Sequence, residues 1–257
     1  MYAELHSLTS FSFLKGASQP VEMVAMAAEL GYTAIAITDE CSLAGVVRAH
    51  EEAKRRGIQV IVGSELCCDD GLTVVALART RQGYSRLSRV ITRARRAATK
   101  GHYKLDRADL LCLTECVLLW IPSESVRVAD GEWLKTHFAD SVWIGVELHA
   151  GADDAERLES LRLIAKRLEL PLTASGGALM HCAERKPLHD VLTAIRHRTT
   201  LDGSHQHRRP NAEFHLASPH EMTRRFASHP DALANTLRIA ERTAATLVRR
   251  DFSEQSN

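Results

Sequence analysis

Apolar runs suited to strands recur along the chain at residues 2–6, 33–38, 58–63, 72–78, 116–121, 142–148 and 170–174. Between most of them lie amphipathic stretches with helical spacing, at residues 20–30, 43–56, 84–98, 125–137, 153–168 and 184–197. Strands alternating with helices predict a mostly parallel α/β architecture, and seven strands suit a closed or nearly closed barrel better than an open sheet. The punctuation agrees: Pro20 falls in a first turn that Ser18 is expected to cap, Gly57 ends the second helix, and Asp153, Asp154 and Glu156 open the helix at 153–168. After about residue 200 the pattern changes. Residues 201–214 are polar and rich in His, Arg and Gly, Ser218 with Glu221 forms a capping box around Pro219, a last helix is predicted over 230–248, and 249–257 carries no periodicity. The expected organisation is a barrel over residues 1–200 and a connection with a short C-terminal helical extension over 201–257.

One unit of this pattern carries chemistry. Residues 32–38 hold no charge, as in a strand buried on both faces, and stop at Asp39-Glu40. A helix follows with Leu43, Val46, Val47 and Ala53 on its apolar face, then a second buried strand at 58–62 that ends in Gly63-Ser64-Glu65. A single parallel crossover of this kind puts Glu40 and Glu65 on the same rim, at the carboxyl ends of the strands, where α/β folds build their sites. A lone carboxylate there commonly caps a helix; its repetition at successive strand ends argues for a site.

Composition narrows the class. With 257 residues, 45% hydrophobic and 25% charged, the chain can bury one sizeable core. A net charge of +1 gives no overall field for nucleic acid, yet residues 79–107 include ten Lys or Arg. Arg89, Arg93 and Arg96 in that stretch are the expected contacts if the basic helix meets DNA or a protein partner. The six cysteines, two of them adjacent at Cys67 and Cys68, form no paired framework and read as thiols in a reducing compartment. Cys112 and Cys116 lack a second ligand pair for zinc. No run of about 18 apolar residues occurs, and the first residues lack a basic segment followed by an apolar core, so a soluble cytoplasmic protein without membrane contact is expected. Neither a nucleophile elbow nor a phosphate-cradling glycine loop is present.

The motifs Glu4-Leu5-His6, Phe13-Leu14-Lys15-Gly16-Ala17-Ser18, Ile37-Thr38-Asp39-Glu40, Gly63-Ser64-Glu65, Gly83-Tyr84, Leu170-Pro171 and His189-Asp190-Val191-Leu192 resemble the PHP (polymerase and histidinol phosphatase) domain. More narrowly they resemble the N-terminal PHP domain of bacterial C-family DNA polymerase III α-type subunits, in the error-prone branch, over roughly residues 2–245. The resemblance implies a distorted (β/α)7 barrel. It also implies where a bi- or trinuclear metal centre for phosphate-ester hydrolysis would sit. His6 and Glu65 match ligand positions, and Glu40 stands where the family has a histidine. Leu8, Lys15, Thr73, Gly177 and Leu179 stand where the family has further ligands. A vestigial site comprising His6, Lys15, Asp39, Glu40, Glu65, His181 and His189 is therefore expected. Lys15 should pair with Glu40 or Glu65, with no catalytic residue and no cofactor beyond a single weakly held Mg, Mn or Zn ion. His205, His207 and His215 are read as solvated.

The resemblance implies a module of an error-prone polymerase in damage-induced translesion synthesis, DNA repair and replication, with a structural or interaction role. Its partners would be a polymerase core in cis or in trans, other translesion proteins, and DNA. The nucleotidyltransferase carboxylates belong to a palm absent from this chain. The alternative is a free-standing metal-dependent PHP phosphoesterase or 3′–5′ exonuclease.

Overall fold

In the computed structural model, which describes residues 1–244, strand β2 (Ala34–Ile37) is buried along its whole length. Its side chains divide by alternation: Ala34 and Ala36 face one apolar cluster, Ile35 and Ile37 another. The same alternation governs β4 (Thr73–Ala78) and β5 (Cys116–Trp120), where Val75, Leu77, Val117 and Leu119 join the first cluster and Val74, Ala76, Leu118 and Trp120 the second. Two apolar faces on each strand fit a curved sheet with a side-chain-filled interior and a helical jacket outside.

The remaining strands are β1 (Ala3–Glu4), β3 (Gln59–Cys67), β6 (Val142–Glu147) and β7 (Leu172–Ser175). All seven pair in sequence order, β1 to β7. The two ends of the sheet approach through a parallel bridge between Ser7 and Ala178, with Leu8 N–H donating to Ala178 O (2.8 Å) and Ala178 N–H to His6 O (3.1 Å). The barrel is thus nearly closed. Around it lie α1 (Pro20–Glu29), α2 (Val46–Arg56), α3 (Arg81–Arg96), the short α4 (Arg107–Leu110), α5 (Val128–Phe138), α6 (Asp154–Leu168), α7 (Lys186–Arg196), α8 (Pro219–Arg225) and α9 (Pro230–Thr243). None of these helices is long and apolar enough to cross a membrane.

Four details depart from the sequence pattern. The β2–α2–β3 crossover is parallel, but β4 runs antiparallel to both β3 and β5. Only residues 68–72 join β3 to β4, too few for a crossover, and Asp70-Gly71 makes the turn with Gly71 at φ +90° and its N–H on Cys68 O (2.8 Å). Strand β3 continues through Glu65 to Cys67 instead of stopping at Val62. Val47 is exposed on α2, whereas Glu52 is buried and held by Arg55 and Arg56. Ser18 does not cap α1: Gln19 occupies that place, its N–H held by Glu22 (2.8 Å), and Ser18 bonds His181 instead.

The residues expected to form an extension share the barrel's core. Met222, Phe226 and Ala232 lie in the outer cluster, while Ile239 and Ala240 of α9 join the inner one. Helix α9 is stitched to strand starts, with Gln59 Nε2 donating to Ala240 O (3.0 Å) and Asn235 Nδ2 to Leu172 O (2.7 Å), so it stoppers the barrel at the amino ends of the strands. Ser218 Oγ accepts from Glu221 N–H (3.1 Å) at the start of α8. The remainder of the helix predicted over 230–248, and the segment 249–257, lie outside the described residues.

Candidate functional site

Because β4 is reversed, its first residue Thr73 lies on the rim reached by the carboxyl ends of the other strands. His6, Glu65, Thr73, Ile121, Glu147 and Gly177 each come from a different strand or its immediate continuation. All line one cleft of about 930 Å³. The cleft lies at the strand ends, with Glu65 in its lining and Glu40 reached through Lys15.

Its centre is a buried chain of charge. His6 Nδ1 lies 2.6 Å from Glu147 Oε1 and Nε2 3.1 Å from Glu65 Oε2, the second contact off the line of a hydrogen bond. Burial alone would depress the imidazole; Glu147 and Glu65 override it and raise His6 to about 10, so it is held as a cation. Both carboxylates are kept below their ordinary range despite burial, Glu65 by His6 and Lys15, Glu147 by His6, His149 and Arg209. Lys15 Nζ lies 2.7 Å from Glu40 Oε2 and 3.9 Å from Glu65 Oε1. Glu40 is further fixed by Tyr103, whose hydroxyl donates at 2.9 Å. Arg95 donates to the carbonyls of Glu40 (3.0 Å) and Cys41 (3.1 Å), clamping the turn after β2.

The other expected members are distributed differently. Asp39 is buried and turned away from the rim, accepting from Thr9 N–H (2.8 Å), Thr9 Oγ1 (2.8 Å) and Ser12 Oγ (2.7 Å); it anchors the loop that carries Lys15. His181 pairs with Ser18 Oγ (2.8 Å) and lines a separate recess. His189 lines the main cleft. His205 and His207 are exposed, and His215 is half-buried with Nδ1 2.9 Å from Ala212 O. Arg89 and Arg96 are exposed on α3, and Arg93, also exposed, pairs with Asp109 at 3.1 Å.

Glu147, His149, Tyr103 and Cys67 were missed by sequence reading. The signal for Glu147 was available, since it closes the apolar run 142–146 as Glu40 and Glu65 close theirs. Tyr103 lies in an irregular segment, and nothing local marks it.

A multinuclear metal centre does not fit these residues. Leu8 and Leu179 are buried in a small apolar cluster with Ala17, Met180 and Phe214, which fills part of the space that ligands would need. Gly177 sits at φ +55°, and a Cβ there would come within 2.6 Å of the Glu147 carboxylate, so a side chain at this position collides with a residue already in place. One smaller donor set remains: oxygens of Glu40 and Glu65 and the sulfur of Cys67 lie within 4.8 Å of one another. The Lys15 ammonium already occupies those carboxylates, and the Cys67 thiol is pushed up to about 11 by burial and Glu65, which keeps it protonated.

Comparison with known proteins agrees with the barrel. The sequence model described as PHP domain matches residues 4–144. Error-prone DNA polymerases of Dechloromonas aromatica and Pseudomonas aeruginosa are 50% and 46% identical to the chain over 247 and 243 residues, 94% of its length in both cases. The match takes in only 24% and 23% of those proteins, so the chain spans about a quarter of the relatives it resembles. Among solved structures, one described as a metal-dependent phosphoesterase from Bifidobacterium adolescentis superposes with a TM-score of 0.54 at 14% identity, covering 68% of this chain and 86% of its own, a likeness of fold. With more than half of its residues matched by that sequence model, over a span that runs from β1 into β6, this chain belongs to the PHP domain family.

Proposed function

We propose that the chain serves as the N-terminal PHP module of an error-prone C-family DNA polymerase, contributing to damage-induced translesion synthesis in the cytoplasm as a structural and interaction domain without a catalytic metal centre. The observation that carries this reading is the ammonium of Lys15 between Glu40 and Glu65. A protein cation there supplies the charge a divalent ion would bring, and an ion would have to displace it. Protein purified without chelator is expected to hold less than about one Mn or Zn ion per chain by mass spectrometry, and Lys15→Gln is expected to strengthen Mn binding roughly tenfold. Two or more stoichiometric ions in the parent chain would overturn the reading. They would favour the second one, a metal-dependent phosphoesterase or 3′–5′ exonuclease, whose support is the Glu40, Glu65 and Cys67 donor set.

Helix α7 supports the interaction role. It buries His189, Thr193 and Ala194 and exposes Leu188, Val191 and Ile195, which recur at helical spacing on the opposite face. Such an inverted helix leaves an apolar stripe toward solvent. The relatives carry about three quarters of their length beyond the matched part, and a polymerase core of that kind, joined in cis or supplied in trans, is the partner we assign to the stripe.

A further inference from the structure

Among the described residues, one of the six cysteines lies within bonding distance of a histidine. Cys182 Sγ is 3.3 Å from Nε2 of the neighbouring His181, whose Nδ1 is 2.8 Å from Ser18 Oγ. Ser18 is buried, and its hydroxyl also accepts the backbone N–H of His181 (2.9 Å), so the ring is held at two points by a residue 163 positions away. A nucleophile, a base within reach of it and a third group that orients the base are the parts from which covalent chemistry is built.

The surroundings suit that chemistry. His181 and Cys182 line the recess of about 560 Å³ that is separate from the main cleft, with Met26 and Leu30 of α1 and Arg224 of α8 on its other walls. Cys182 is half-buried, so a small molecule entering the recess reaches Sγ. Its carbonyl accepts from Arg185 N–H (3.2 Å) where a single 3₁₀ turn (Ala183–Arg185) leads into α7, and the partial positive charge at a helix start favours a thiolate. Burial and Glu184 raise the Cys182 thiol, so it keeps its proton until a base takes it. Burial lowers His181 despite Glu22, which leaves the ring neutral. In the tautomer that donates from Nδ1 to Ser18 Oγ, the Nε2 lone pair faces Sγ. The other cysteines lack this setting. Cys41, Cys68 and Cys116 are buried, Cys67 is pushed up to about 11 by burial and Glu65, and Cys112 is exposed with no histidine beside it among the described residues.

We propose that Cys182 is a thiol-exchange site that takes up a low-molecular-weight disulfide, with His181 as its base and Ser18 positioning the ring. His181 Nε2 removes the Sγ proton, the thiolate attacks one sulfur of the disulfide, and an S–S bond forms to Cys182 as the disulfide's own S–S bond breaks. The departing sulfur leaves with the electron pair as a thiolate and takes the proton back from His181. Cys182 is oxidised, the small disulfide is reduced, and the chain carries a mixed disulfide in the recess. No residue of the Lys15, Glu40 and Glu65 cluster takes part, so the outcome is independent of the metal-free reading above.

The test treats the 257-residue chain with oxidised glutathione and follows each cysteine by peptide mass spectrometry. Exposure alone would make Cys112 react first; the contact with His181 makes Cys182 the faster, by roughly tenfold. This comparison is internal to the parent chain and needs no variant. His181→Gln is expected to slow Cys182 roughly tenfold, at an unchanged melting temperature, and to leave Cys112 within about twofold. In denaturant the two rates should converge, because Ser18 no longer holds the ring. A Cys112 that reacts as fast as Cys182 in the native chain, an absence of adduct at Cys182, a Cys182 rate that His181→Gln leaves unchanged, or a preference that persists in denaturant overturns the proposal.

Discussion

His6 lies between two buried carboxylates that set its charge. Its flanking carboxylates, Glu65 and Glu147, are 3.1 Å and 2.6 Å away, and its own backbone N–H donates to Glu4 Oε1 at 3.0 Å. Glu4 also accepts from Leu5 N–H (3.0 Å) and Gly176 N–H (2.9 Å), tying β1 to the end of β7 and fixing the ring's position. Because His6 titrates at about 10 when folded, against 6.5 for the free side chain, its contribution to stability is complete below pH 6.5 and is lost as pH rises through 10. Glu65 and Glu147 are shifted the opposite way, so their contribution is present above pH 4.5 and is lost as pH falls through their lowered values. Chemical denaturation is therefore expected to show about 2 kcal/mol less stability at pH 8.5 than at 6.5. His6→Leu should remove that slope and cost about 3 kcal/mol by leaving two buried carboxylates without their cation. A parent protein with flat stability across this window would contradict the account. The sequence placed Lys15 with Glu40 or Glu65 through aligned motif positions, and in the structure Lys15 lies 2.7 Å from Glu40 and 3.9 Å from Glu65. It could not reveal Tyr103 or Arg95 as holders of Glu40, because both arrive from a segment distant in sequence.

At the scale of elements, every predicted strand exists, because uninterrupted apolar runs bounded by turn residues have few alternatives. Direction was less legible. Asp70-Gly71 between two apolar runs is a hairpin signal, and it outweighs the general alternation that suggested parallel strands. The face of α2 was read from apolar spacing, which succeeds for Val46 and Ala53 and fails for Val47. In α7 the buried side carries His189 and Thr193, and Leu188, Val191 and Ile195 face outward. Leu188→Asp with Val191→Asp is expected to weaken association with a relative's polymerase core, measured in trans by sedimentation or calorimetry, by roughly tenfold or more, with little change in melting temperature. Unaltered affinity would remove α7 from the proposed interface.

For the whole molecule, charge is segregated without being strong. Arg89, Arg93 and Arg96 lie on the outer surface of α3, on a chain of net charge +1. If α3 tracks a DNA backbone, replacing the three with Gln should lower the slope of log affinity against log salt by about 2 to 3; an unchanged slope would assign this helix to protein contact or to solvent. Length, alternation and strand-end carboxylates were sufficient by themselves for seven strands in an α/β fold with Glu40 and Glu65 on one rim, since these follow from local periodicity and from the chirality of one crossover; closure shows in the Ser7–Ala178 bridge. Only the tertiary structure decided that β4 is reversed, that α9 stoppers the barrel interior, and that Glu147 fills the space beside Gly177. It also decided which cations are held by carboxylates, as Lys15 and Lys186 are. The physical reason is that periodicity reports how a residue stands on its own element. Pairing of charge and exclusion of volume depend on which elements meet, and in this barrel His6 and Glu147 meet at the rim from 141 residues apart along the chain.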